Sequence, residues 1–109
     1  MVRMCIPVTK SGAVDPRWGR ADRVAVADVS DGQVTSWEEF QVQWGVLHDT
    51  GTEGSHHARV VRFLRDHGVE TVVADHMGAG MMQVMERMGL KVFLGGSGDA
   101  REAVLAASR

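Results

Sequence analysis

Five histidines, one cysteine and seven methionines carry the metal-ligating and soft donor atoms of this 109-residue chain. Their spacing decides what they can do together. The stretch VVADHMGAGMMQVMERMG, residues 72 to 89, holds His76, Met77, Met81, Met82, Met85 and Met88 beside three glycines. His76 follows an apolar run and precedes Met77-Gly78-Ala79-Gly80, whose small residues let backbone N–H groups approach an anion where a helix begins. The positive end of that helix disfavours imidazolium and so keeps the ring neutral and able to coordinate a metal. His76 is therefore the candidate metal ligand. The amides of Met77, Gly78, Ala79 and Gly80 are the candidate anion donors. The competing account is a loop histidine that fills a turn or bonds a carbonyl.

Most of the remaining donors have a structural explanation. Met81, Val84, Met85 and Met88 fall at i, i+3, i+4 and i+7, the stripe with which a helix packs on a sheet. They are expected in the core, whereas Met77 precedes the helix and stays a soft-ligand candidate. Met82 fits either account. His56 and His57 are expected to open a helix, but neighbours on a helix point about 100° apart. One of the two at most is expected to face a site, and His57 is the choice. His48 reads as a solvated loop residue, and His67 as a helix C-terminal residue stabilised by the dipole. Cys5 sits mid-strand, where a small buried hydrophobe is the common role. In the loop 9 to 22, Lys10, Arg17 and Arg20 offer positive charge to an anion, Trp18 a ring to exclude water, and Gly19 room for close approach.

Composition narrows the classes further. With 44% hydrophobic and 24% charged residues, a chain of this length builds one core, so a single domain over 1–109 is expected. Fourteen acids against 12 bases, scattered along the chain, give a formal charge of -2 and no field suited to a nucleic-acid backbone. No apolar run approaches the roughly 18 residues that cross a bilayer, and the opening MVRMCIPVTK lacks a signal peptide's apolar segment. A cytoplasmic protein without nucleic-acid or membrane partners is expected. One cysteine also excludes a four-thiolate zinc or iron-sulfur site within one chain.

These residues must be positioned by strands at 3 to 8, 23 to 29, 33 to 40, 70 to 75 and 90 to 94. Helices are predicted at 56 to 67, 79 to 88 and after Asp99, which serves as a cap. Asp31-Gly32 closes a hairpin, Gly68 and Gly89 stop helices, and residues 41 to 55 read as a long loop ending in Ser55 as N-cap. The order is β-β-β-α-β-α-β-α. Strands separated by helices run parallel, so the second strand alone is reversed. The first strand is expected between the hairpin and strand 70 to 75. Loops 9 to 22 and 76 to 80 then flank the point where strand order reverses, the usual ligand position in open α/β sheets. Asp28 falls at the end opposite Asp75, so Asp15, Asp28 and Asp75 do not assemble a two-metal nuclease site.

Two long segments, MCIPVTKSGAVDPRWGRADRVAVADVSDG and GSHHARVVRFLRDHGVETVVADHMGAGMMQVMERMGLKVF, resemble the dinitrogenase iron-molybdenum cofactor biosynthesis family. Arg17-Trp18-Gly19 stands where that family often has histidine-phenylalanine-glycine. The resemblance implies a ribonuclease H-like three-layer fold: a five-stranded mixed sheet with one antiparallel strand and helices on both faces. It also implies an iron-sulfur or molybdenum-containing metal-sulfur cluster. The expected role is a non-catalytic carrier or chaperone of that anionic cluster, with His76 as metal ligand. Trp18, Gly19, Arg20, His57, Met77, Gly78, Ala79 and Gly80 are expected to line the binding site. Cluster donor or acceptor proteins are the expected partners, and a monomer or weak homodimer the expected state. The alternative is a metal-free interaction or regulatory module that uses loop 41 to 55 and exposed tryptophans Trp18, Trp37 and Trp44. No nucleophile–base pair at credible spacing supports an enzyme.

Overall fold

The computed structural model describes residues 1–48 and 51–109, the side chains of His48 and Glu53 excepted. Its elements are β1 (Val2–Pro7), a 3-10 helix (Trp18–Arg20), β2 (Arg23–Ser30), β3 (Gln33–Gln41), α1 (Trp44–His48), α2 (Glu53–Asp66), β4 (Thr71–Val73), α3 (Ala79–Arg87), β5 (Lys91–Phe93) and α4 (Ala100–Ser108). The strands form one sheet in the order β3-β2-β1-β4-β5. β2 is antiparallel to β1 and β3, while β4 runs parallel to β1 and β5 parallel to β4. β1 therefore lies between the hairpin and β4.

Period-two alternation divides the sheet between two cores. On one face Cys5, Val24, Val72 and Ala74 pack with Trp44 of α1, Val60 and Leu64 of α2, and Met81 and Met85 of α3. On the other, Met4, Ile6, Ala25, Ala27, Val29 and Val73 pack with Ala100, Ala103 and Val104 of α4. Met81 and Met85 are buried, with Val84 and Met88 partly buried beside them, so the methionine stripe is core. Removal of such apolar surface from water, worth roughly 1.5–3 kcal/mol per large side chain, holds α2 and α3 to the sheet.

Local chemistry sets the ends. Asp31 and Gly32 both take positive φ, 52° and 74°, the turn that matches the twist of a two-residue hairpin. α2 and α3 stop alike. Gly68 and Gly89 sit at φ 64° and 71°, where a side chain is strained, and the following N–H groups of Val69 and Leu90 reach back to Leu64 and Met85 carbonyls at 3.0 and 3.1 Å. Asp99 caps α4 by accepting from Glu102 N–H at 3.0 Å.

Residues 41 to 55 differ from the expected loop. They contain α1, and α2 begins a turn earlier than predicted, with Thr52 rather than Ser55 as N-cap. Thr52 Oγ1 accepts from Ser55 N–H at 3.1 Å, while the Ser55 hydroxyl donates to the Thr52 carbonyl at 3.0 Å. Both residues are good caps by type, and the upstream one gains a further helical turn. α1 has only five residues, too few to form on propensity. Burial of Trp44 against Trp18 and Phe63, at 5.3 and 5.7 Å between ring centroids, fixes it instead. Asp49, Thr50 and the His48 side chain, part of the loop assigned to partner binding, lie outside the described residues.

Candidate functional site

β1 connects to β2 on one side of the sheet and β4 connects through α3 to β5 on the other, so a crevice opens between the two departing loops. A pocket of about 440 Å³ lies there, walled by Arg17–Arg20, by His56 and His57 of α2, and by residues 76 to 81. Trp18, Gly19, Arg20, His57, His76, Met77, Gly78, Ala79 and Gly80 all line it. Arg17, expected to offer charge to an anion, lines it as well, and so do His56 and Met81, which the sequence did not assign to the site.

The first wall is held from beneath by Asp15, only 4% exposed. Its carboxylate accepts from the Arg17 N–H at 2.9 Å, from Nε at 3.2 Å and from Nη2 at 3.1 Å. The hydrogen bond, with the charge of Asp15 behind it, raises the pKa of the Arg17 guanidinium. Two of the five N–H donors of that guanidinium are used in this way, leaving the rest of the fork toward the pocket rim. Trp18 is buried and stands edge-on to Trp44. A Cβ placed on Gly19 would lie 3.4 Å from His56 Nε2, so this backbone runs close against α2.

The second wall corrects an expectation. Both histidines line the pocket, with ring centroids 6.1 Å apart, and His56 rather than His57 is the buried one. Because α2 starts at Glu53, the pair sits in its second turn, where the helix flanks the crevice and residues about 100° apart border the same concavity. The signal was in the sequence: His56, Val60 and Leu64 fall at i, i+4 and i+8, and all three are buried.

The third wall is the β4–α3 turn. His76 is exposed over 75% of its side chain, with Nδ1 3.7 Å from Asp75 Oδ2. Gly78 is the N-cap of α3 and supplies no side-chain acceptor, whereas Thr52 and Asp99 cap α2 and α4. Helical geometry leaves the N–H groups of Ala79, Gly80 and Met81 without intrahelical acceptors, at the positive end of the α3 dipole.

Chemically, the pocket offers imidazoles, the half-buried Met77 thioether, two guanidinium groups and backbone donors. Among the described residues no three His, Cys, Asp or Glu side chains come close enough to hold a metal ion. Cys5 is fully buried within β1, and desolvation pushes its thiol pKa upward, away from thiolate chemistry. The donor set therefore suits an anion better than a bare cation. Asp28 accepts from Arg3 at the opposite end of the sheet, away from Asp75, so among the described residues these carboxylates do not come together as a nuclease-type cluster. The exposed-tryptophan surface is also corrected. Trp18 and Trp44 are core residues, because their rings fill the space between the 3-10 helix, α1 and α2. Trp37 is partly exposed, donating to Glu39 at 2.9 Å beneath the Arg101 guanidinium.

The sequence profile of the dinitrogenase iron-molybdenum cofactor family matches residues 1–109. The chain belongs to this family. Solved structures of similar shape include the apo form of the orange protein from Desulfovibrio gigas, at TM-score 0.79 and 22% identity over 99% of this chain and 88% of that one. The crystal structure of PH0822 follows at TM-score 0.76 and 22% identity, over 98% and 89% of the two chains. TM1290 from Thermotoga, a structure determined by NMR and described as a NifB-type protein of the DUF35 family, has TM-score 0.71 and 28% identity over 99% and 88%. No curated protein sequence matches the chain. The two structures at 22% identity bear on the fold alone, while the profile match establishes the family. No helix among the described residues is long and apolar enough to cross a membrane.

Proposed function

We propose that this single-domain member of the dinitrogenase iron-molybdenum cofactor family binds and carries an anionic metal-sulfur cluster, of iron-sulfur or molybdenum-containing type, without transforming it. One observation carries the reading: an uncapped helix N-terminus, two arginines and three histidines converge on a single pocket at the switch point of the sheet. His76, exposed at the mouth, is the metal ligand, with Met77 beside it as a soft donor. Backbone N–H groups from Met77 to Gly80 donate to the anion. Arg20 adds charge, and Trp18, Gly19 and His57 form the facing walls. The family membership supports a cluster as cargo, and the existence of an apo form of the orange protein, a structural neighbour, fits a fold that is stable without its ligand.

The same proposal includes carriage in the cytoplasm, exchange with cluster donor or acceptor proteins, and a monomeric or weakly dimeric state. We also assign the fold to the ribonuclease H-like class. The support is the order β3-β2-β1-β4-β5 with β2 alone reversed, and helices on both faces. The test is anaerobic incubation of the protein with synthetic iron-sulfur or molybdenum-sulfur clusters, followed by gel filtration and metal analysis of the protein peak. Stoichiometric metal and sulfide eluting with the wild-type chain, and little with His76→Ala, support the proposal. No retained metal in the wild type overturns it.

A further inference from the structure

Resting on that reading of the pocket, we infer that Gly45, which does not line it, is a positioning residue that sets the wall formed by Arg17–Arg20. α1 and the two residues before it grip the chain where this wall ends, at Ala21 and Asp22. The N–H groups of Val42 and Gln43 donate to the Asp22 carbonyl at 2.9 and 3.0 Å, and the Trp44 N–H donates to the Ala21 carbonyl at 3.0 Å. Trp44, 1% exposed, braces the ring of Trp18 on one side and that of Phe63 in α2 on the other. The two walls that face each other across the pocket are thereby referred to one buried ring.

Gly45 is where this grip is tightest. A Cβ on Gly45 would stand 2.7 Å from the Arg20 carbonyl oxygen, 3.6 Å from the Arg20 carbonyl carbon and 3.8 Å from its Cα. A carbon atom does not approach an oxygen that closely, and the obstacle is backbone rather than a side chain that can rotate away. Gly45 is not among the residues of positive φ, and glycine is a weak helix former, so neither conformational freedom nor helix propensity accounts for it. Close approach does. Any larger residue must shift the Arg20 peptide, and with it the segment that carries Trp18 and Gly19. Gly19 is packed so that its own Cβ would lie 3.4 Å from His56 Nε2, so the shift changes the spacing between the first and second walls.

The experiment compares wild type, Gly45→Ala and the control Gly54→Ala, whose Cβ meets only Thr52 Oγ1 at 3.9 Å. Tetrathiomolybdate is the probe, titrated anaerobically at a temperature where far-UV circular dichroism shows each protein folded. Affinity, and the circular dichroism induced in the probe's visible band, are recorded. Gly45→Ala should bind roughly tenfold more weakly (about 1.4 kcal/mol) with an altered induced band, and its probe-free amide shifts should move at residues 17 to 21. Gly54→Ala should match wild type. A folded Gly45→Ala protein with wild-type affinity and band overturns the inference while leaving the anion site standing. Absence of saturable binding by wild type overturns the site itself, and with it the inference. If Gly45→Ala does not fold, Trp44→Phe decides: it shortens the brace without adding an atom against Arg20, and wild-type binding by that variant overturns the inference.

Discussion

Arg3 and Arg17 stand at opposite ends of the sheet and show how one residue type serves two purposes. Arg3 directs its whole fork at the protein. Nε and Nη2 donate to Asp28 at 2.8 and 3.2 Å and Nη1 to the His67 carbonyl at 3.0 Å, so β1, β2 and the end of α2 are tied together. Among the described residues Arg17 is held on one edge, by Asp15, and 63% of its side chain is exposed at a pocket rim. Helix ends repeat the contrast, since α2 and α4 carry side-chain caps whereas α3 begins at the bare Gly78. Groups that complete their hydrogen bonds within the chain build stability. Those left open at the switch point are what a ligand can use.

The contrast breaks most sharply at His76. Because its side chain is exposed, His76→Ala should change stability by less than about 0.5 kcal/mol. Cluster affinity should fall by roughly 100-fold, about 2.7 kcal/mol, in an anaerobic binding titration. The mirror experiment is at the other end. Asp28→Ala removes the acceptor of a charged hydrogen-bond pair and should cost about 2 kcal/mol in a urea melt, with cluster affinity unchanged.

Asp28 also makes a pH prediction. Its hydrogen bond from Arg3, opposed by partial burial and aided by the charge of Arg3, holds the folded-state pKa below the ordinary carboxylate value. A depressed pKa contributes stability that is full above the unfolded-state value near 4 and lost as pH falls through the folded value. Wild type should therefore lose more stability between about pH 4 and pH 2 than Asp28→Asn does, as read from urea midpoints across that range.

A smaller effect is expected from giving α3 the cap it lacks. Gly78→Asp should stabilise the protein by only a few tenths of a kcal/mol (about 0.3), because glycine is itself a tolerated N-cap, while weakening anion binding several-fold by occupying the same N–H groups. The smallest effect on binding is expected from Thr52→Ala, which should cost about 1 kcal/mol of stability through the lost cap and leave affinity nearly unchanged. Thermal melts paired with binding titrations separate the two readouts in each case.

Much of this was legible in the sequence where the signal was local. The Asp31-Gly32 turn, the Gly68 and Gly89 stops, the Asp99 cap and the methionine stripe each depend on residues within a turn or two, and each appears as read. Chain direction then followed from the strand and helix order, which brought the loop at 17 to 20 and the turn at 76 to 80 to one pocket. What failed to show was tertiary in origin. α1 exists because Trp44 is buried between Trp18 and Phe63, and no periodicity in five residues discloses that. The start of α2 turns on two residues, Thr52 and Ser55, that are both competent caps by type, whereas the inward place of His56 is legible from its i+4 and i+8 partners Val60 and Leu64 wherever the helix begins. Three tryptophans read as an exposed surface because composition alone does not say which rings the core will take.

The most direct test of the contrast between the two ends is an anaerobic, amide-resolved NMR titration of the protein with a synthetic iron-sulfur cluster and with tetrathiomolybdate. The account predicts saturable shifts or broadening confined to residues 17 to 20, 56 to 57 and 76 to 81, with Arg3, Asp28 and their neighbours unmoved. Shifts scattered over both ends, or none at any concentration, would contradict it.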